Sequence, residues 1–480
     1  MSRGALQPTT RCPRARQCEA QGEEGLVLFQ RFVSEGLAHY SYIIGEGRQA
    51  VVIDPRRDCD VYIEAATQEA LAITHILETH RNEDYVSGSL ELSHRTGAKI
   101  LHSGHEPLPY GYGKPIHEGE EIPIGKLKIA ALHTPGHTLG HMSYVLYDAL
   151  SAPWMVFTGD TLFAGEVGRT DFYGDDNLAK MTGLLYESLY HKILPLGDGV
   201  IVCPAHGAGS VCGSGIVDRM WTTVGLERRL NPRLQFAEKE RFVAHAARML
   251  QRAPYFEQME ALNLHGAPVL GTLPVVRPLA ASEFSERAEH AYVVDTRVPM
   301  SYAAAHVPGS VALWEVELPN YAGWLLDYEK PLLLVGDTSD LRRVVRYLIR
   351  LGFDQIEGFL GGGMLEWHRA GLPSAHLNTL TVQQLCHRLD EDRDTWILDV
   401  RSAEEVQAQG IPGAHHIHIK EFPGRMDEVP ADRPVQVFCG SGVRSTIVAS
   451  LLRRAGWENL TVVLGGLAGW NSISCPLPLG

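Results

Sequence analysis

Three apolar runs in the first third of this chain each end on a turn that presents a polar side chain. Residues 73–77 run into Glu78-Thr79-His80, residues 127–132 lead to Thr134-Pro135-Gly136-His137, and residues 154–157 lead to Thr158-Gly159-Asp160. An apolar run closed by small or polar turn residues is how a buried strand delivers one side chain to a sheet edge. Taken singly, such a His is ordinarily a hydrogen-bonded structural residue. Two imidazoles and a carboxylate arriving from three strand ends form the ligand set of a mononuclear non-haem Fe(II) site. Zinc accepts a similar set.

The order His…Pro-Gly-His…Gly-Asp resembles the metallo-β-lactamase superfamily. The segment Gly168-Arg169-Thr170-Asp171-Phe172 behind Asp160 resembles the persulfide dioxygenases within it. The resemblance implies a four-layer αββα fold and one Fe(II) per chain, with Zn as the alternative, held by His80, His137 and Asp160. The superfamily's His-x-His-x-Asp-His motif reads His80-Arg81-Asn82-Glu83-Asp84-Tyr85 here. Asn82 and Tyr85 would remove one ligand from each metal of a dinuclear zinc hydrolase, so a mononuclear site is expected. Asp84, and His206 in Pro204-Ala205-His206-Gly207, are then expected to orient the ligands, a common use of such groups around metals. Arg169, with Arg81 as a further candidate, is expected to bind the anionic part of a substrate. Val167 stands where some relatives carry Cys.

The C-terminal half is an internal repeat at an offset of 104 residues. Asp295-Thr296-Arg297 recurs as Asp399-Val400-Arg401, Val307-Pro308-Gly309 as Ile411-Pro412-Gly413, and Leu360-Gly361-Gly362 as Leu464-Gly465-Gly466. Each copy alternates short apolar strands with helical segments, which implies an α/β unit on a parallel sheet.

In the second copy, the buried run 435–438 leads into Cys439-Gly440-Ser441-Gly442-Val443-Arg444-Ser445 and then a helix. A Cys at such a junction meets backbone N–H groups and the positive end of a helix dipole, and Arg444 adds a cation; all favour a thiolate. Gly440 and Gly442 let the loop turn inward toward an anion. Together with Asp399-Val400-Arg401 and Leu464-Gly465-Gly466…Trp470, this half resembles the rhodanese family. The resemblance implies that Cys439 accepts a sulfane sulfur, cradled by Gly440, Ser441, Gly442 and Val443. A Cys-dependent phosphatase usually has five residues between Cys and Arg; here there are four, a ring better sized for sulfur. The repeat places Val335 and Asp340 opposite Cys439 and Arg444, so the first copy is expected to transfer no sulfur and to serve as scaffold or docking surface. Cys386 and Cys475 lie outside the loop and are read as packing residues.

The layout expected is a tail over 1–25, a metallo-β-lactamase-like domain over 26–262, a linker over 263–280, and rhodanese-like domains over 281–375 and 380–478. The tail lacks an apolar segment, so it is not a secretory signal. Net charge −14 argues against nucleic acid or an anionic membrane as main partner. No apolar run approaches the roughly 18 residues of a membrane span. Eight Cys without a CxxC pair or a disulfide framework point to free thiols in a reducing compartment, the cytoplasm.

The two resemblances together imply sulfide detoxification. A glutathione or coenzyme A persulfide would be oxidised with O₂ to sulfite, and the rhodanese would move sulfane sulfur to or from sulfite and thiosulfate through Cys439. A homo-oligomer through the first domain is plausible on family grounds. The alternatives are a sulfurtransferase whose metal domain has lost its chemistry, and a zinc thioester hydrolase.

Overall fold

The computed structural model describes residues 27–213, 215–391 and 395–473. The expected tail over 1–25 and Cys475 lie outside the described residues. Contacts divide the chain into two units, 1–273 with 349–352, and 274–348 with 353–480.

The first unit contains two six-stranded sheets, each with its strands in chain order. In one, Leu28–Ser34, His39–Glu46 and Gln49–Ile53 form an antiparallel meander, and Ala72–Leu77, Lys99–Ser103 and Lys114–Ile116 extend it in parallel. The other runs from Glu121–Ile124 to Thr222–Thr223 and is antiparallel except where Pro153–Gly159 pairs with Ile201–Pro204.

Alternation along the strands builds three cores from two sheets. Ile44, Val51, Ile53 and Leu77 meet Ile129, Tyr144, Leu146, Met155 and Phe157 between the sheets. Their neighbours Ile43, Val52 and Ile76 point the other way, onto Tyr62, Ala65 and Ala66 of helix Asp60–Gln68 and Leu92 of helix Ser89–Thr96. On the far side, Val145, Val156 and Val202 pack against Leu185 of helix Asp175–Ser188 and Phe242 of helix Lys239–Ala246. The result is the expected αββα order. Two further strands are short, Lys114–Ile116 and Glu121–Ile124. Each is the short edge of a sheet, too brief to carry a clear period. Helix Phe256–His265 runs into the stretch read as linker. Its Asn263 donates to the carbonyls of Asn82 and Tyr85, both at 2.7 Å.

The second unit holds two five-stranded parallel sheets of identical strand order, Pro278–Leu279 to Ile356–Leu360 and Asn378–Thr381 to Leu460–Leu464. In each, the first strand pairs with the fifth, the fifth with the fourth, the fourth with the second and the second with the third. The copies also share a strand-end ion pair. Arg297 Nε and Nη2 donate to Asp295 at 2.9 and 2.5 Å, and Arg401 grips Asp399 at the same distances. Helix Val443–Arg454 of the second copy packs on strand Val311–Ala312 of the first, with Ala312 N donating to Ser450 Oγ at 3.0 Å.

Cys386, read as a packing thiol, is instead disulfide-bonded. The described Cys59, Cys203, Cys212 and Cys439 are free. Among the described residues, no helix is long and apolar enough to cross a membrane.

Candidate metal centre and sulfur-transfer loop

His80 lies just past strand Ala72–Leu77, His137 past strand Leu127–His133, and Asp160 directly after strand Pro153–Gly159. The fold brings all three together. His137 Nε2 is 3.5 Å and His80 Nε2 4.0 Å from Asp160 Oδ2. The imidazole rings stand nearly perpendicular, at 89°. All three side chains are buried.

Hydrogen bonds fix which atoms face inward. His137 Nδ1 donates to the Arg169 carbonyl at 2.9 Å. His80 Nδ1 contacts Thr79 Oγ1 at 2.9 Å, and that hydroxyl donates to Asp54 Oδ2 at 2.8 Å, so it accepts from the imidazole. Both histidines therefore carry their proton on Nδ1 and turn an Nε2 lone pair into the site, the arrangement that metal-binding imidazoles use. Burial holds His80 well below the ordinary imidazole range, which keeps that lone pair free.

Asp160 is sorted in the same way. Its Oδ1 meets His206 Nδ1 at 2.8 Å, which leaves Oδ2 for the site. The far nitrogen of His206 lies 2.9 Å from Asp84 Oδ2. Burial opposes charge on His206, but the two flanking carboxylates outweigh it and raise its pKa well above the usual value.

Several members were not singled out in the sequence. Asp54 accepts from both N and Oγ1 of Thr79 at 2.8 Å. It has a left-handed φ of 48°, the kind of local strain that collects at functional sites. Burial pushes its carboxyl up to about 7. His141 accepts from the Asp160 amide at 2.9 Å and contacts the hydroxyls of Thr134 and Thr161. Burial lowers its pKa to about 3. Gly168 is required because a Cβ there would sit 1.8 Å from the Asp160 carbonyl.

Asn82 and Tyr85 take structural places. Tyr85 is fully buried, its ring 3.9 Å from that of His39. Asn82 turns its amide toward the His80 carbonyl. Arg169, expected to meet substrate, is engaged elsewhere: its guanidinium pairs with Asp171 at 2.7 and 2.8 Å and donates to the carbonyls of Val211, Leu250 and Gln251. Its visible role is to hold the carbonyl that orients His137. Arg81 faces Glu260 at 3.6 Å. Arg248 lines a cleft with Gly168, Arg169, Cys212 and Arg233.

The residues fit a metal. His80 Nε2, His137 Nε2 and Asp160 Oδ2 are buried without a hydrogen-bond partner, and unpaired buried polar atoms are costly. A cation between them would satisfy all three.

In the second unit, Cys439 follows strand Val435–Phe438 and precedes helix Val443–Arg454. The loop carbonyls of Cys439, Gly440 and Ser441 accept from the amides of Leu467, Ala468 and Gly465 at 3.0–3.1 Å. With those carbonyls turned away, Gly442 N donates to Cys439 Sγ at 3.1 Å. Ser445 Oγ lies 3.4 Å from the same sulfur. Arg444 forms a bidentate pair with Glu405 at 2.6 and 2.7 Å, so its charge is shared with a carboxylate that the sequence did not reveal. Glu405 is itself fixed by a capping box with Ser402. The two copies also meet where Lys420 of the second stands 4.8 Å over the ring of Trp324 of the first. In that copy, buried Val335 occupies the position of Cys439.

Residues 35–206 match the model of the metallo-beta-lactamase superfamily, and residues 280–370 and 381–473 match that of the rhodanese-like domain. The hydroxyacylglutathione hydrolase GloC of Haemophilus influenzae is 30% identical over 212 residues, 40% of this chain and 90% of its own length. The human mitochondrial persulfide dioxygenase ETHE1 is 31% identical over 247 residues, 47% of this chain and 83% of that protein. A metallo-beta-lactamase structure from Staphylococcus aureus covers 69% of this chain and 98% of its own, with 28% identity and a TM-score of 0.63. Superfamily membership implies a bound metal, and similarity to a persulfide dioxygenase beside rhodanese domains supports a role in sulfur metabolism. The chain belongs to the metallo-beta-lactamase superfamily, with tandem rhodanese-like domains following that domain.

Proposed function

We propose that this chain is a persulfide dioxygenase joined to a rhodanese, acting in sulfide detoxification. The observation that carries the reading is the convergence of His80 Nε2, His137 Nε2 and Asp160 Oδ2, three buried atoms without partners, in a chain that also carries the Cys439 loop. His80, His137 and Asp160 would hold one Fe(II). Bound there, iron supplies Lewis acidity and one-electron redox chemistry. The overall conversion takes a persulfide, O₂ and water to a thiol, sulfite and two protons.

The chain's own residues do the positioning. Arg169 and Thr79 hold the histidines, His206 holds Asp160, and the surrounding burial excludes water. Arg248 is a candidate for the anionic end of a glutathione or coenzyme A persulfide. It forms no ion pair among the described residues, whereas Arg169 is bound to Asp171. At the second site, the Cys439 thiolate attacks the outer sulfur of a persulfide donor, forming a new S–S bond as the donor's S–S bond breaks and its thiolate leaves. Attack by sulfite then breaks that bond, releasing thiosulfate and the Cys439 thiolate. Gly442 N–H donates to this sulfur, and a donor of this kind suits an anionic persulfide.

The test is O₂ consumption by iron-loaded protein given glutathione persulfide, with sulfite and thiosulfate measured. Uptake with sulfite is expected, and thiosulfate only with Cys439 present. Asp160→Ala should abolish uptake and spare thiosulfate:cyanide sulfurtransfer; loss of both together would contradict two independent sites.

The second reading is a zinc thioester hydrolase, favoured by the GloC similarity and by the buried group Asp84, His206 and Cys212. Two zincs per chain and thioester cleavage would establish it; one iron would not fit it.

A further inference from the structure

The motif position that faces the candidate metal centre is neither of the two that depart from the superfamily pattern. Glu83, an unspecified position in His-x-His-x-Asp-His, is fully buried. Its Oε2 lies 3.6 Å from His137 Nε2 and 3.7 Å from His80 Nε2. Both distances are too long for a hydrogen bond, and neither Glu83 oxygen has a partner. His80, Glu83 and His137 form one of the compact groups of potential ligand atoms among the described residues.

The geometry points to Glu83 as a fourth protein ligand of the metal, beside His80, His137 and Asp160. Metal–ligand bonds of about 2.0–2.2 Å place neighbouring donors roughly 3–3.5 Å apart. Four separations among these atoms, 3.5, 3.6, 3.7 and 4.0 Å, lie at or just above that range. At 3.6 and 3.7 Å neither imidazole completes a hydrogen bond to Glu83.

Charge gives a second argument. A buried carboxylate without a partner is unfavourable. Two carboxylates and two neutral imidazoles balance a divalent cation. The loop explains how Glu83 arrives there: Asn82 is turned back on the His80 carbonyl and its own carbonyl is held by Asn263. Asp84 is drawn to His206. The next side chain in the turn is the one left to face the histidines. The site is then a two-His, two-carboxylate centre, richer in oxygen than the facial triad and correspondingly suited to a harder ion.

This inference rests on the metal-centre reading but not on the reaction performed. The test uses full-length apoprotein, titrated anaerobically with Fe(II) and separately with Co(II), in wild-type, Glu83→Gln, Glu83→Asp and His137→Ala forms. Dissociation constants come from chelator competition, the ligand field from the Co(II) absorption spectrum, and metal-dependent stabilisation from thermal unfolding. Wild type should bind one ion. Glu83→Gln should bind at least about tenfold more weakly, with an altered Co(II) spectrum and a smaller metal-induced rise in Tm, and Glu83→Asp should fall between them. Without metal, Glu83→Gln should unfold no earlier than wild type, because it removes an uncompensated charge; this separates ligation from general damage. Affinity within twofold of wild type and an unchanged spectrum in Glu83→Gln, with binding lost in His137→Ala, would overturn the role of Glu83 alone. Absence of metal from wild type would overturn the metal centre itself.

Discussion

His206 Nδ1 lies 2.8 Å from Oδ1 of Asp160, and this contact selects the oxygen that Asp160 presents to His80 and His137. His206→Gln should therefore weaken metal binding without abolishing it. Loss of such a supporting group typically lowers affinity about 10–100-fold. Chelator competition measures it, and an unchanged constant would mean that Asp160 is oriented by other contacts.

Thr79 links Asp54 to His80. Thr79→Val removes the acceptor for His80 Nδ1 and one donor to Asp54, leaving buried polar groups unpaired. The expected loss is about 1–3 kcal/mol, read from the urea midpoint of the apoprotein. Thr79→Ser, which keeps the hydroxyl, should recover most of it.

Glu405 carries the pH prediction. Its pair with Arg444 holds the carboxyl at about 2, below its ordinary 4.5. A carboxylate with a depressed folded pKa adds stability above its unfolded value, and that contribution disappears as pH falls through the folded value. Between roughly pH 4.5 and 2, wild type should lose urea resistance more steeply than Glu405→Gln, followed by tryptophan fluorescence. Parallel curves would show that the pair contributes nothing to folding.

Gly466 has a φ of 48°, and a Cβ there would lie 2.2 Å from the Cys439 carbonyl. Gly466→Ala must displace the loop or hold it under strain of about 1–3 kcal/mol. Thiosulfate:cyanide sulfurtransfer should fall at least about tenfold while metal content stays at the wild-type level. A normal rate would mean that the loop relaxes without disturbing Sγ.

What could be read from the sequence was what local pattern carries. His80, His137 and Asp160 each end an apolar run, and strand ends converge at a sheet edge, so their meeting was legible. The 104-residue repeat announced two like domains and placed Val335 opposite Cys439. Glu83 was not legible, because a motif directs attention to its named positions and only the turn geometry shows which intervening side chain faces inward. Asp54, His141 and Glu405 act through hydrogen bonds to residues 19–39 positions away, and no spacing rule links them. Arg169 looked like a substrate contact because free Arg binds anions; the Asp171 that engages it lies only two residues along the chain. The Cys386 disulfide escaped for a simpler reason, since cysteine spacing without a framework does not reveal a single bridge.

The paired strand-end clamps, Asp295–Arg297 and Asp399–Arg401, have matching geometry although only one copy retains a nucleophile. The chain thus contains its own control experiment. What both copies kept, the clamp and the strand order, is what the architecture demands whether or not sulfur is handled. What only one has, Cys439 and Arg444, is the increment that the proposed sulfur transfer calls for.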